Sequence, residues 1–590
     1  MKRLLITILL LLILPMGILY GKNGDNAKRL VDRIRIHGND HITDLHIKEA
    51  MFTAESRWWR KRYFEMGLFQ DDLNAIITLY NNRGFLDAKI SAWDTTHVKT
   101  SRVRISITVN EGPQSKFGTV EYEGNQNIHP RLLTTQLQFK PGAPFSFIAL
   151  SRSTWKLINL YANRGYLDAQ VEPILEASQE VIDIRFQIRE GAPVYTDTLI
   201  VIGNEKTNNN VIRRELRFHQ GDLLTHQAIV ESQQNLYKTG LFSSVSITPK
   251  QDSFNQQYRD VIIRLTEAQS GEFNFGVGYG SKEYVRGTAE ILQSNLFGTG
   301  QRVGLRGKLS FTEQRIEGLF TAPYFLLWGI RLDNTMYYGR EVEKNYTLNR
   351  LGSEATIGKD VFTFSRISSS LKLENNYYTR IDTVAVKDTA DTRIRSISLN
   401  YTRDSRKNLF NTSSGSYLKL SGLVAGAIFA GTNSFFRLTG DYTKYYPVRP
   451  GITFAFNAAT GTLFEVGNTR GIPVYERFYA GGDQSVRGYQ DRSLSPQRGG
   501  KSIGGNFKAV LRMESRVKVY KGLHAALFVD TGNVWSAVDY TNLVNIRTGA
   551  GIGLRYGTPI GVARIDYGWK VNPRADESPG AIHITLGQAL

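Results

Sequence analysis

The chain has 590 residues, 73 Lys and Arg against 54 Asp and Glu for a formal net charge of +19, and no cysteine. The missing cysteines exclude disulfides, thiolate zinc sites, iron–sulfur clusters and cysteine nucleophiles. An apolar fraction of 41% and a mean hydropathy of −0.29 exclude a bundle of transmembrane helices, and 55 Gly, 29 Tyr and 30 Phe favour turn-rich β-structure.

Met1-Lys2-Arg3, the apolar run Leu4–Leu14 and Pro15 have the build of a secretory signal peptide, expected over residues 1–21 with Gly21 before the cleavage point. The alternative is an uncleaved anchor running on to Tyr20. Both export the chain, so nucleic acid is not expected as a partner despite the positive charge.

Three repeats follow. Arg33-Ile-Arg-Ile-His-Gly-Asn39 recurs as Thr119-Val-Glu-Tyr-Glu-Gly-Asn125 and Thr198-Leu-Ile-Val-Ile-Gly-Asn204, each a strand closed by a Gly-Asn turn. Asn82-Arg-Gly-Phe-Leu-Asp-Ala88 recurs as Asn163-Arg-Gly-Tyr-Leu-Asp-Ala169 and, more loosely, as Lys238-Thr-Gly-Leu-Phe242. Here the glycine ends a helix such as Asp72–Asn81 and the apolar residues open a strand. Asn110-Glu-Gly-Pro113, Arg189-Glu-Gly-Ala-Pro193 and Thr266-Glu-Ala268 close the units. The predicted modules span 31–112, 113–192 and 193–268, each strand–helix–helix–strand–strand. Their ordered markers resemble POTRA domains, the periplasmic modules of outer-membrane assembly factors. A small sheet with a free edge can take up an extended peptide by strand addition.

From Gly271 the period changes to two. Phe273, Phe275, Val277 and Tyr279 alternate with Glu272, Asn274, Gly276 and Gly278. Val303, Leu305, Leu309 and Phe311 alternate with Arg302, Gly304, Arg306, Lys308 and Ser310, and Ala550, Ile552, Leu554 and Tyr556 with Gly549, Gly551, Gly553 and Arg555. The closing strand sets Ile582, Ile584 and Leu586 against His583, Thr585 and Gly587. Apolar outside and charged inside predicts an all-β transmembrane barrel over 271–590, after the α+β modules. Its length suits sixteen antiparallel strands, with fourteen and eighteen also compatible. This segment holds 40 Lys and Arg against 26 Asp and Glu, a net of +14, so most of the charge belongs to a wet lumen or to loops beside anionic headgroups.

Phe478-Tyr-Ala-Gly-Gly-Asp-Gln-Ser-Val-Arg-Gly-Tyr489 resembles the sixth-loop motif of the BamA/TamA outer-membrane assembly family, matching it at Gly481, Gly482, Ser485, Val486, Arg487, Gly488 and Tyr489. Asn506–Glu514 and Phe528–Trp535 resemble two family strands carrying an inward Glu and an inward Asp, and Tyr401–Gly415 resembles a further hairpin with Asn411 where a Pro is usual. Three modules place the resemblance nearest the TamA-like branch. If the loop enters the lumen, Arg487 needs a carboxylate. Glu514 lies opposite in parity to Phe507, Ala509, Leu511 and Met513, and Asp530 to Leu527 and Val529, so both face inward as its expected partners. The competing reading is a solvated Arg on a Gly-rich surface loop.

The resemblance implies a factor in the outer membrane of a Gram-negative bacterium, with its N-terminal modules in the periplasm. It would receive unfolded client proteins and insert barrel or autotransporter-type clients through a lateral gate where the first strand meets the last, with Phe275 and Ile584 as seam positions. Expected partners are those clients, outer-membrane lipid and a periplasmic or inner-membrane-anchored protein. The chain ends in Leu590, where barrel proteins commonly end in an aromatic residue. A two-partner-secretion transporter exporting one exoprotein is the rival; those usually have two modules and a plug helix, for which about ten residues leave no room. A diffusion porin would need no modules. No cofactor, metal or catalytic residue is expected: His37, His41 and His46 with Asp40 and Asp44 straddle a turn without ligand spacing, and no nucleophile elbow or Walker loop occurs.

Overall fold

The computed structural model describes residues 29–586 apart from 58–59, 100, 179, 251–256, 327–328, 384–390, 409–411, 427–429, 468–470, 538–544 and 559–560. The expected signal segment, Asn411 and Leu590 lie outside the described residues. The first two modules belong to one compact unit and the barrel to another, and the residues of the third module divide between them.

Module one runs β1 (Leu30–His37), α1 (Asp44–Ala50), α2 (Met66–Asn81), β2 (Lys89–Lys99) and β3 (Arg102–Asn110). Module two runs β4 (Lys116–Glu123), α3 (Pro130–Thr134), α4 (Phe147–Ala162), β5 (Gln170–Ser178) and β6 (Val181–Arg189). Module three runs β7 (Tyr195–Ile202), α5 (Asn209–Arg213), α6 (His226–Lys238), β8 (Phe242–Pro249) and β9 (Tyr258–Glu267). The sheet orders β1-β3-β2, β4-β6-β5 and β7-β9-β8 are the same, with the last strand always central. β3 and β6 pair parallel with β1 and β4 and antiparallel with β2 and β5. In module one Val103, Ile105, Ile107 and Val109 alternate inward from β3 and pack on Phe69, Ile76 and Tyr80 of α2. That helix begins before the expected Asp72. Met66 and Phe69 extend its apolar stripe, and Asp72 is buried inside it, accepting the N–H groups of Phe52 (2.5 Å) and Thr53 (2.9 Å).

The Gly-Asn turn and the closing glutamate are physically one device. In module two Gly124 has φ +87°, and a Cβ there would overlap the Ile188 carbonyl; Gly38 and Gly203 meet Val109 and Leu265 in the same way. The next residue bonds forward, Asn39 Nδ2 to the Ile42 carbonyl (2.8 Å), Asn125 to Ile128 (3.0 Å) and Asn204 to Thr207 (3.0 Å). The closing glutamate then accepts N–H groups from the turn: Glu111 from His41 (3.1 Å), Glu190 from Asn127 (3.0 Å), Glu267 from Lys206 (3.1 Å) and Thr207 (2.7 Å). Tyr80 and Tyr161 donate their hydroxyls to Glu111 (3.0 Å) and Glu190 (2.9 Å). His41, one of the residues that mimic a metal cluster, also places Nδ1 2.6 Å from Glu111.

The barrel has sixteen strands: β10 (Gly271–Gly280), β11 (Tyr284–Leu296), β12 (Gln301–Ser310), β13 (Glu313–Phe325), β14 (Ile330–Val342), β15 (Tyr346–Phe362), β16 (Ser365–Ile381), β17 (Thr392–Asp404), β18 (Gly415–Ala425), β19 (Phe435–Arg449), β20 (Ile452–Glu465) and, after a small hairpin of β21 (Gln497–Arg498) and β22 (Lys501–Ser502), β23 (Phe507–Tyr520), β24 (Leu523–Trp535), β25 (Arg547–Thr558), β26 (Gly561–Lys570) and β27 (Gly580–Leu586). Each pairs with the next, and β27 returns to β10. Phe273, Phe275, Leu309, Leu399, Leu527 and Ile582 point outward and are exposed, whereas His583, Thr585, Arg555, Asp566 and Asp530 point inward and are buried. An apolar outer belt on a closed barrel is the arrangement lipid selects. Among the described residues no helix is long and apolar enough to cross a membrane.

Among the described residues β10 and β27 meet in two pairs, Tyr279 with Leu586 and Gly280 with Thr585. Ser281 Oγ bonds both the amide (2.9 Å) and the carbonyl (3.2 Å) of Ile584. Phe275 and Ile584 thus lie on the two seam strands but are not opposite each other. Ile584 sits beside Ser281, and Phe275 pairs with Ala289 on its other side.

Candidate functional site

The connection between β20 and β23 turns back against the inner wall. Its anchors are apolar first. Ile472 packs with Ile394, Ala425, Phe435 and Leu463, Val474 with Tyr346 and Leu348, and Ala480, Val486, Tyr489 and Leu494 with Val510 and Val534. Polar ties follow. Arg437 pairs with Glu476, Arg492 reaches Glu343 (2.7 Å), and Asn345 Nδ2 donates to the Ser502 carbonyl (2.5 Å).

Within the motif, Ser485 Oγ accepts the Gly481 N–H (2.8 Å) and donates to its carbonyl (2.9 Å), and the Gly482 N–H donates to the Tyr489 carbonyl (3.0 Å). This small closed turn sets Val486, Arg487 and Tyr489 against the wall, all three at or below 1% exposure. Gly488 has φ +91° and rests on β26, where a Cβ on Gly568 would come within 2.5 Å of the Gly488 nitrogen. A Cβ on Gly549 would overlap the Arg487 carbonyl. The inward glycines of β25 and β26 are the bed on which the loop lies.

Arg487 is the centre of the site. Its Nε and Nη2 donate to Asp530 at 2.6 and 2.8 Å, its backbone N–H to the same carboxylate at 3.1 Å, and its Nη1 to Glu514 at 2.6 Å. The guanidinium carbon stands 3.5 Å from the centre of the Phe528 ring. The structure therefore brings the loop arginine together with Glu514 and Asp530, in the bidentate fork geometry that fixes direction as well as distance. Sequence reasoning missed four neighbours. Asp566 accepts from Arg487 Nη1 (3.4 Å) and from Arg555, which also reaches Glu514 (2.9 Å). His583 Nε2 accepts the Gly488 N–H at 3.1 Å. Phe528 supplies the stacking face. Strand parity opposite Leu554, Ile565 and Ile582 was the signal that would have found the first three.

Three acids and the guanidiniums of Arg487, Arg555 and Arg516, the last 2.6 Å from Glu514, form a nearly balanced buried network. The network fixes the loop to the wall through charge-assisted hydrogen bonds. It reaches the seam strand directly, since His583 and Thr585 both belong to β27 and the Thr585 hydroxyl donates to Asp483 of the loop (3.2 Å).

A family model described as the Omp85 superfamily domain matches residues 295–590. A POTRA model described as surface antigen variable number repeat matches three times, at 30–112, 115–191 and 194–268. The chain is 26% identical over 591 residues to a Nitratidesulfovibrio vulgaris protein named outer membrane protein assembly factor BamA, covering 96% of this chain and 74% of that protein. A protein of the same name from Neisseria meningitidis serogroup B is 26% identical over 577 residues, covering 90% and 72%. The crystal structure of BamA from Haemophilus ducreyi lacking POTRA domains 1–3 aligns with a TM-score of 0.71 at 21% identity, over 80% of this chain and 99% of that one, and shares the fold.

Proposed function

Because this chain belongs to the Omp85 superfamily, we propose that it is an assembly factor of the outer membrane, receiving unfolded clients on periplasmic modules and inserting barrel or autotransporter-type proteins through the junction of β10 and β27. The module limits 31–112, 113–192 and 193–268, with the barrel from 271, belong to this reading. β2 and β5 are edge strands, with unpaired backbone on one side that an extended client strand can join. The activity is one of pairing and release, without a bond-breaking step. Arg487, Glu514 and Asp530 act as positioning residues that hold the loop, and through Gly488 and His583 the loop holds β27.

The observation that carries the reading is the seam. β27 meets β10 at Tyr279–Leu586 and Gly280–Thr585, and β10 ends at Gly280. Gly580–His583 run on past the end of β10 with β26 as their strand partner among the described residues. Such an edge can exchange a self-pair for a client pair at little cost in backbone hydrogen bonds.

The test is a Gly280→Cys/Thr585→Cys pair. These positions face each other, a Cβ at Gly280 meets nothing within 4 Å, and the chain has no other cysteine. In liposomes the oxidised protein should not insert a urea-denatured barrel client, and reduction should restore insertion. Full insertion by the oxidised form would sink the proposal.

A further inference from the structure

We propose that the lumen cavity beside the loop is a binding site for a phosphate-class oxyanion. The cavity has a volume of about 580 Å³ and lies between the inner faces of β19, β20 and β23 and the loop residues Gln484 and Ser485. Lys508, Arg512 and Arg564 line it, together with Arg406, Arg487 and Arg516, against only two carboxylates, Asp441 and Glu514.

The balance is decided by which of these charges are already used. Arg406 is forked on Asp404 at 2.8 and 2.9 Å. Arg487 and Arg516 share Glu514 with Arg555, which leaves that carboxylate no capacity for another cation. Asp441 accepts Asn457 Nδ2 at 3.0 Å and keeps its charge, so Lys508, Arg512 and Arg564 face one lining carboxylate that is not already paired. Arg512 touches the carbonyls of Gln484 and Asp483 at 3.3 Å, with Asp530, already forked by Arg487, 3.9 Å from its Nε. The Nε groups of Arg512 and Arg564 are buried and have no hydrogen-bond partner among the described residues. Lys508 and Arg564 have no ion-pair partner among them either.

Unpaired guanidinium N–H groups in a confined space are costly, and an anion relieves them. Two arginines and an ammonium offer several donors from different directions, which suits a tetrahedral oxyanion with three or more acceptor oxygens. The phosphate comes either free in solution or on a lipid headgroup entering through the seam. The inference stands apart from client insertion.

Full-length protein, folded in neutral detergent micelles, would be dialysed against radiolabelled orthophosphate at low salt without any client. One saturable site per chain is expected, at least tenfold weaker in Lys508→Gln/Arg564→Gln and unchanged in Lys359→Gln, which pairs with the outward Ile367. Folding of each variant is checked by heat-modifiable migration. If the double variant does not fold, Lys508→Met alone should weaken binding at least threefold. Displacement of the label by phosphatidic acid in the micelle assigns the site to a headgroup, and retention of the label assigns it to free phosphate. Non-saturable binding, or equal affinity in folded variants, would overturn the proposal.

Discussion

Replacing Arg487 by Ala should be the most damaging single change in the barrel. The side chain is 1% exposed and Asp530 is fully buried. Its removal leaves the partners unequally served. Glu514 keeps Arg516 and Arg555, and Asp566 keeps Arg555. Asp530 loses both arms of the fork and retains only the backbone N–H and the distant Arg512. Leaving one buried charge without its partner costs about 3–5 kcal/mol, and loss of the contact with Phe528 adds about 1 kcal/mol. Asp530→Asn should cost less, about 2 kcal/mol, because Arg487 still has Glu514 and Asp566. The double variant Arg487→Ala/Asp530→Asn should fall short of the summed costs by about 2 kcal/mol, since the second change removes the charge that the first one orphans. Urea unfolding in lipid vesicles, followed by tryptophan fluorescence and by heat-modifiable migration, gives the three values. Additive effects, or an Arg487→Ala cost below about 1 kcal/mol, would refute the buried-network account.

Gly568→Ala should expel the motif from its bed while the barrel still closes, seen as faster protease cleavage within 478–489 with normal heat-modifiable migration. Gly124→Ala places a side chain at φ +87° against the Ile188 carbonyl and should destabilise module two by about 2–3 kcal/mol, read as faster amide exchange in β4 and β6. Burial alone would raise the carboxyls of Glu111 and Glu267, but hydrogen bonds from the turns, from His41 and from Thr207 and Lys206 respectively, outweigh it and hold both below the usual value of 4.5. A depressed folded-state pKa contributes stability that is complete above the ordinary carboxylate pKa and is lost as pH falls through the depressed value. Resistance of modules one and three to pepsin should therefore drop as pH falls below 4.5, and Glu111→Gln should remove that dependence in module one.

The sequence was most legible where side-chain parity carries the information. Arg302–Phe311 and Ala581–Leu586 declare an inner and an outer face residue by residue, and Glu514 and Asp530 were readable as inward because a strand allows only two choices. The loop arginine was readable through its motif, and its need for acids through burial. What stayed hidden depends on residues far apart in the chain. Glu111 served as a marker of module length, but its donor His41 lies 70 residues earlier and looked like a member of a metal cluster. Asp72 is the expected start of that helix; it is instead a buried acceptor for a neighbouring loop. The seam register was illegible for another reason. Phe275 and Ile584 are both outward residues of the right strands, yet how far two closing strands slide past each other is set by the stagger accumulated around the whole barrel.

The place of β3, β6 and β9 at the centre of their sheets has a bearing on how the chain comes into being. A polypeptide made or threaded from its N-terminus presents the two flanking strands of a module before the strand that joins them. Neither flank can pair with the other, and the glutamate that fastens the turn is nearly the last residue to arrive. Each module should remain an open, protease-sensitive segment until its final residues appear and then close in one cooperative event. Maturation would advance in three discrete steps, and truncation a few residues before Glu111, Glu190 or Glu267 would forfeit a whole step.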